Sequence, residues 1–236
     1  MATSKFFSKA KEQRELGKIV PNPNSTEFEV NSWQLSEVVL KKLVPIVDIH
    51  PFPLDELLLM SGAMAYFKPK LVFEWGTHIG KSARIFYELS LTLELDTIIH
   101  SIDLPDEVEH GEHPHGQRGV MVRGVKNVKL HQGDGVETAL KIMQKSPGHS
   151  GGSGVLFFVD GDHEYNSVRR ELTEIMKKAP KAAVLLHDTF YQSSGSHYNT
   201  GPHEAVKGCL KNSKKYRRID TKIGLPGMTL LYPVTI

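Results

Sequence analysis

The chain has 236 residues, 39% hydrophobic and 24% charged, and its 29 Lys and Arg against 27 Asp and Glu leave a formal net charge of +2. Such a composition describes a globular protein with one sizeable core, and so close a charge balance gives no sign of the clustered basic face that nucleic-acid binding requires. The single cysteine, Cys209, rules out an intrachain disulfide. A reducing, cytoplasmic setting is therefore expected, without a secretory signal or membrane span, because no apolar stretch is long enough for either.

Residues 1–53 read as an N-terminal arm, a lid or a homo-oligomer contact, with a helix predicted near Lys9–Leu16 and another over Trp33–Leu43 that Pro45 ends. Residues 54–236 read as one α/β domain. It opens with a helix over Leu54–Phe67, followed by a short apolar run, Leu71–Glu74. Two glycines four residues apart, Gly76 and Gly80, then lead into an amphipathic segment from Ser82. A strand, tight turn and helix look like this, and the helix start offers unpaired N–H groups to a ligand.

Further strands are predicted over Thr97–Asp103, from Val128 into the turn Gly133-Asp134, over Val155–Asp160 and over Ala182–Leu186, with helices between them. A terminal hairpin pairs Tyr216–Asp220 with Met228–Tyr232. The whole predicts a doubly wound, mostly parallel seven-stranded sheet whose terminal strand is antiparallel. Between the second and third strands the segment 104–124 lacks periodicity and carries His110, His113 and His115, which suit a solvated loop better than a metal site.

Acidic residues recur at the carboxyl ends of successive strands: Glu74, Asp103, Asp134, Asp160 and Asp188. In an open parallel sheet these ends form the ligand crevice. Asp103 stands where a nucleotide-binding α/β protein accepts ribose hydroxyls. Asp160 and Asp188 can offer oxygen ligands to one divalent cation, which would acidify a hydroxyl, and His163 can take the proton. Tyr165, Tyr191, His197 and His203 are candidates to line the acceptor's side.

The run Glu74-Trp75-Gly76-Thr77-His78-Ile79-Gly80-Lys81-Ser82, with Asp103, Gly133-Asp134, Val159-Asp160-Gly161-Asp162-His163-Glu164-Tyr165 and His187-Asp188-Thr189, resembles the class I S-adenosylmethionine (SAM) dependent methyltransferases. It is most similar to the branch of macrolide-sugar O-methyltransferases and cephalosporin hydroxylase-like proteins. The resemblance implies SAM held by Glu74, Gly76, Thr77, Gly80, Ser82, Asp103, Gly133, Asp134 and Asp160, with Glu74 near its amino group and Asp134 near its adenine. It also implies Mg2+ at Asp160 and Asp188 and a catalytic base at His163. His187 stands where the macrolide enzymes have glutamate and is the candidate third ligand, a residue that suits softer divalent ions than Mg2+. The expected partner is a small hydroxylated molecule, a sugar or secondary metabolite. A metal-independent methyltransferase and a nicotinamide-dependent oxidoreductase are the alternatives, the second lacking the G-x-G-x-x-G run.

Overall fold

The computed structural model describes residues 27–108, 114–198, 200–211 and 213–234. The helix predicted near Lys9–Leu16 lies outside them, as do His110 and His113. Seven strands form one sheet in the order β3-β2-β1-β4-β5-β7-β6. They are β1 (Leu71–Trp75), β2 (Ile98–Asp103), β3 (Val128–Gln132), β4 (Val155–Val159), β5 (Ala183–Leu186), β6 (Tyr216–Asp220) and β7 (Thr229–Pro233). β1 to β5 are parallel, and β7 runs antiparallel between β5 and β6, as the sequence pattern predicts.

β1 and β4 are apolar apart from Glu74, because helices cover both faces of the sheet. Side-chain alternation divides the core into two layers. Val72, Ile99, Leu156, Phe158 and Leu185 point to one side, where they meet helices α3 (Leu54–Phe67) and α4 (Lys81–Thr92). Phe73, Trp75, Phe157, Val159 and Val184 point to the other, against α5 (Gly135–Lys145), α6 (Tyr165–Lys178) and α7 (Thr200–Leu210). Each fully buried Phe contributes roughly 1.5–3 kcal/mol relative to exposure.

The helix expected over Trp33–Leu43 runs further. α1 (Ser32–Val38) passes into a wider π segment, Val39–Leu43, and then α2 (Val44–Val47). Pro45 does not stop it, because Pro45 sits at the start of the last turn, where its missing N–H is tolerated. Val39, Leu43 and Val47 join the same core layer as Val72 and Leu156. The second half of segment 104–124 is also better anchored than its irregular sequence suggests: the Gly119 and Met121 N–H groups donate to the His78 and Ile79 carbonyls at 2.9 and 3.0 Å.

On β2 and β3, His100 Nδ1 lies 2.9 Å from His131 Nε2, with Phe73 stacked on His100. Burial, helped by repulsion from His131 and Lys129, pushes His100 down to about 4 from 6.5. Between these values the unfolded chain binds a proton that the folded histidine refuses, so stability falls as pH falls. In urea titrations, His100→Phe is expected to reduce the stability lost between about pH 6.5 and 4.5 by on the order of 2 kcal/mol.

Candidate active site

The carboxyl ends of β1 to β5 open into one cleft of about 1810 Å³ whose wall includes Gly76, Thr77, Ser82, Asp103, Gly133, Asp134, Asp160, His163, His187 and Asp188. Its narrowest construction is where β1 and β4 leave the sheet. Gly76 has φ 90°, and a Cβ there would lie 2.1 Å from the Asp160 carbonyl oxygen. Only glycine fits, so the turn after β1 is pressed against the end of β4. Gly80, at φ 87°, caps α4 and faces the backbone of Gly119 rather than the cleft.

Glu74 lies behind the wall of the cleft rather than on it. It is fully buried beneath the cleft, and its Oε2 accepts a hydrogen bond from Ser82 Oγ at 2.5 Å. Burial, opposed by Ser101 and Ser82, pushes its carboxyl up to about 7. It therefore acts from behind, fixing Ser82, while Thr77 is fixed by Ser101 Oγ at 2.6 Å.

Asp103 is at the cleft wall but already engaged. Its Oδ1 accepts from the Leu104 N–H at 2.9 Å, and its Oδ2 from the His78 N–H at 3.2 Å and Arg118 Nε at 3.0 Å. Arg118 also bonds Asp106. Asp134 caps α5 by accepting from the Glu137 N–H at 2.9 Å, and Arg170 donates to its other oxygen at 2.6 Å. These bonds hold the Asp134 carboxyl below its usual range against the opposing effect of burial. Asp134-x-x-Glu137 is a capping signature visible in the sequence. Arg118 and Arg170 were not legible there, because their acidic partners are 15 and 36 residues away.

At the ends of β4 and β5, six titratable groups converge among the described residues. His187 Nδ1 lies 2.9 Å from Asp160 Oδ1 and 3.2 Å from Asp188 Oδ2, and its Nε2 lies 3.0 Å from Glu56 Oε2. His163 Nε2 is 3.1 Å from the same Asp188 oxygen, and the Tyr198 hydroxyl donates to Asp188 Oδ1 at 2.9 Å. Burial alone would depress His187, yet Asp160, Asp188 and Glu56 outweigh it and hold the imidazole well above its ordinary 6.5. Burial would raise Asp188, but the bonds from His163 and His187 win and lower it. Burial and Asp188 push the Tyr198 phenol up to about 12.

Two carboxylates and one ring nitrogen facing a common point repel unless positive charge sits between them, supplied by a proton on Nδ1 or by a cation. One donor atom each from Asp160, His187 and Asp188 can be chosen so that all lie within 4.8 Å of one another, a donor set that fits a divalent ion. Asp188 holds this place at φ 56°, a conformation that costs energy in a non-glycine residue. Glu56 and Tyr198 escaped sequence reading. Glu56 looks like an ordinary first-turn acid of a helix, and Tyr198 sits in a polar loop.

Of the acceptor-side candidates, Tyr165 and His197 line the cleft, whereas Tyr191 and His203 stack on each other 4.6 Å apart and are not part of its wall. His115 lies in a separate small pocket with Asp106, Arg118 and His131.

A sheet of this order with a ligand turn after β1 is the architecture of the SAM-dependent methyltransferases. Residues 73–189 match the family model of a methyltransferase domain. Among solved structures the fold is similar to the S-adenosylhomocysteine (SAH) bound methyltransferase of Podospora anserina, with 14% identity over 97% of this chain and 95% of that one and a TM-score of 0.53. It is also similar to an O-methyltransferase from Bacillus cereus in complex with SAH, with 11% identity over 85% of this chain and 90% of that one and a TM-score of 0.52. No curated protein sequence matches. Residues 73–189 thus match a methyltransferase domain, and the fold that surrounds them is the Rossmann-like fold of the class I SAM-dependent methyltransferases.

Gly76→Ala is expected to destabilise the chain by about 2–4 kcal/mol, through a clash with backbone and an unfavourable φ. Urea denaturation reads this, and calorimetric titration with SAH should show binding lost or severely weakened.

Proposed function

We propose that the chain transfers the methyl group of SAM to a hydroxyl oxygen of a small acceptor, a sugar or secondary metabolite, with His163 as general base and a divalent cation at Asp160, His187 and Asp188. One observation carries the reading: His163 and His187 both reach the same Asp188 oxygen, in the cleft that also holds Gly76, Thr77 and Asp103. A proton acceptor, a candidate ion site and a candidate nucleoside site thus share one space.

SAM supplies an electrophilic methyl on a sulfonium when bound. Thr77, Ser82 and Gly133 would border it from the wall, Asp103 would accept the ribose hydroxyls, and Asp134 would face the adenine. A carboxylate has about four lone-pair positions, and Leu104, His78 and Arg118 fill three on Asp103. Accepting two ribose hydroxyls would therefore displace one of the three donors, and Arg118 is the one that reaches Asp103 by its side chain.

A bound divalent cation would lower the pKa of the acceptor hydroxyl. Asp188 orients the His163 ring, whose side chain is half exposed and within reach of an incoming acceptor. His163 removes the acceptor proton in a cleft whose wall also includes Pro51, Phe52 and Tyr198. A second, metal-independent form draws on the two-sided engagement of His187, whose imidazolium would then provide the central positive charge.

SAH release measured over a panel of sugar, catechol and flavonoid acceptors tests this. His163→Gln is expected to lower kcat by roughly 10²–10⁴-fold while SAH affinity stays unchanged. Chelation of divalent cations is expected to abolish turnover; unchanged turnover would favour the metal-independent form.

A further inference from the structure

Glu56 is the deepest charge in this region, 1% exposed on the first turn of α3, and both of its oxygens are committed. Oε1 accepts from the Gly227 N–H at 2.7 Å and Oε2 faces His187 Nε2 at 3.0 Å. The first bond anchors the carboxylate to the turn before β7, so its second oxygen is held in line with the imidazole. A carboxylate can only accept, so Nε2 carries the proton that faces it. Nδ1 faces Asp160 Oδ1 and Asp188 Oδ2 at 2.9 and 3.2 Å, so without an ion it carries a proton, and it is the nitrogen whose lone pair an ion would take in exchange for that proton. These are hydrogen-bond distances for a protonated Nδ1, and one donor atom from each of the three residues lies within 4.8 Å of the others, close enough to share one ion.

We infer that Glu56 is a positioning residue that fixes the His187 tautomer for metal ligation, and that the resulting two-carboxylate, one-imidazole set selects a transition-metal dication over Mg2+. This rests on the metal reading of the site given above. A carboxylate on the far nitrogen raises the basicity of a ligating imidazole and fixes its orientation. Nitrogen ligation favours Mn2+, Fe2+, Co2+ or Zn2+, whereas an all-oxygen set suits Mg2+. The ion therefore depends on a helix that precedes the whole nucleoside-binding half of the chain.

Glu56→Gln is the discriminating substitution because it is nearly isosteric. With its oxygen kept on the Gly227 N–H, the amide donates to His187 Nε2, which moves the ring proton to Nδ1 and removes the ligand lone pair. A purely structural Glu56 would not produce this effect on metal binding alone.

The test is calorimetric titration of the chelator-treated full chain, saturated with SAH, with Co2+ and with Mg2+, together with the visible absorption of the Co2+ complex. Wild type is expected to bind Co2+ with a spectrum that changes in His187→Asp, and the Co2+ to Mg2+ affinity ratio is expected to fall at least tenfold in that variant. Glu56→Gln is expected to weaken Co2+ binding by about 10–100-fold while SAH affinity and the circular dichroism spectrum remain those of wild type. Equal Co2+ affinity in Glu56→Gln, or an unchanged metal ratio and spectrum in His187→Asp, would overturn the inference and leave the metal site standing. Absence of Co2+ and Mg2+ binding by wild type that still binds SAH would overturn both.

Discussion

The contact between Gly76 and the Asp160 carbonyl is the constraint on which the site depends. It draws the turn after β1 and the end of β4 to within a distance that no side chain can enter. The β1 turn borders the candidate cofactor region, and the segment that follows β4 carries Asp160 and His163. On the proposed function, a nucleoside held on one side and an acceptor held on the other would be neighbours, as in-line transfer between them requires. Parallel strand pairing then places Asp103 and Asp188 on either side of this junction.

The second determinant is electrostatic. Burying Glu56, Asp160 and Asp188 together would be prohibitively costly without compensation, because each loses hydration and each repels the others. His187 meets all three, and His163 and the Tyr198 hydroxyl complete Asp188. Such a cluster contributes little to stability compared with an apolar core of the same volume. Its construction around a positive-φ residue, Asp188, is the pattern expected of a site whose geometry serves chemistry.

Much of this was written in the sequence locally. Short apolar or β-branched runs between turn residues and helices marked the strands, and the strand-end acids Asp103, Asp160 and Asp188 marked three points on the cleft. What escaped were relations between distant segments. Glu56 meets its partners 131 and 171 residues later, so no local pattern distinguishes it from a solvated first-turn acid. Glu74 shows the opposite limit: its position at a strand end suggests exposure to ligand, but its side chain is buried and one of its oxygens meets Ser82. Asp134 carried two signals at once, a strand-end acid and a capping residue, and its side chain serves the helix and Arg170.

The most direct measurement is a crystal structure of the chain grown with SAH and Mn2+, with anomalous diffraction used to locate the ion. The expected result is SAH in the cleft with its ribose hydroxyls on Asp103, Arg118 withdrawn, and an anomalous peak bonded to Asp160, His187 Nδ1 and Asp188 beside His163. SAH bound with Arg118 still on Asp103, or no peak between the two aspartates, would contradict it.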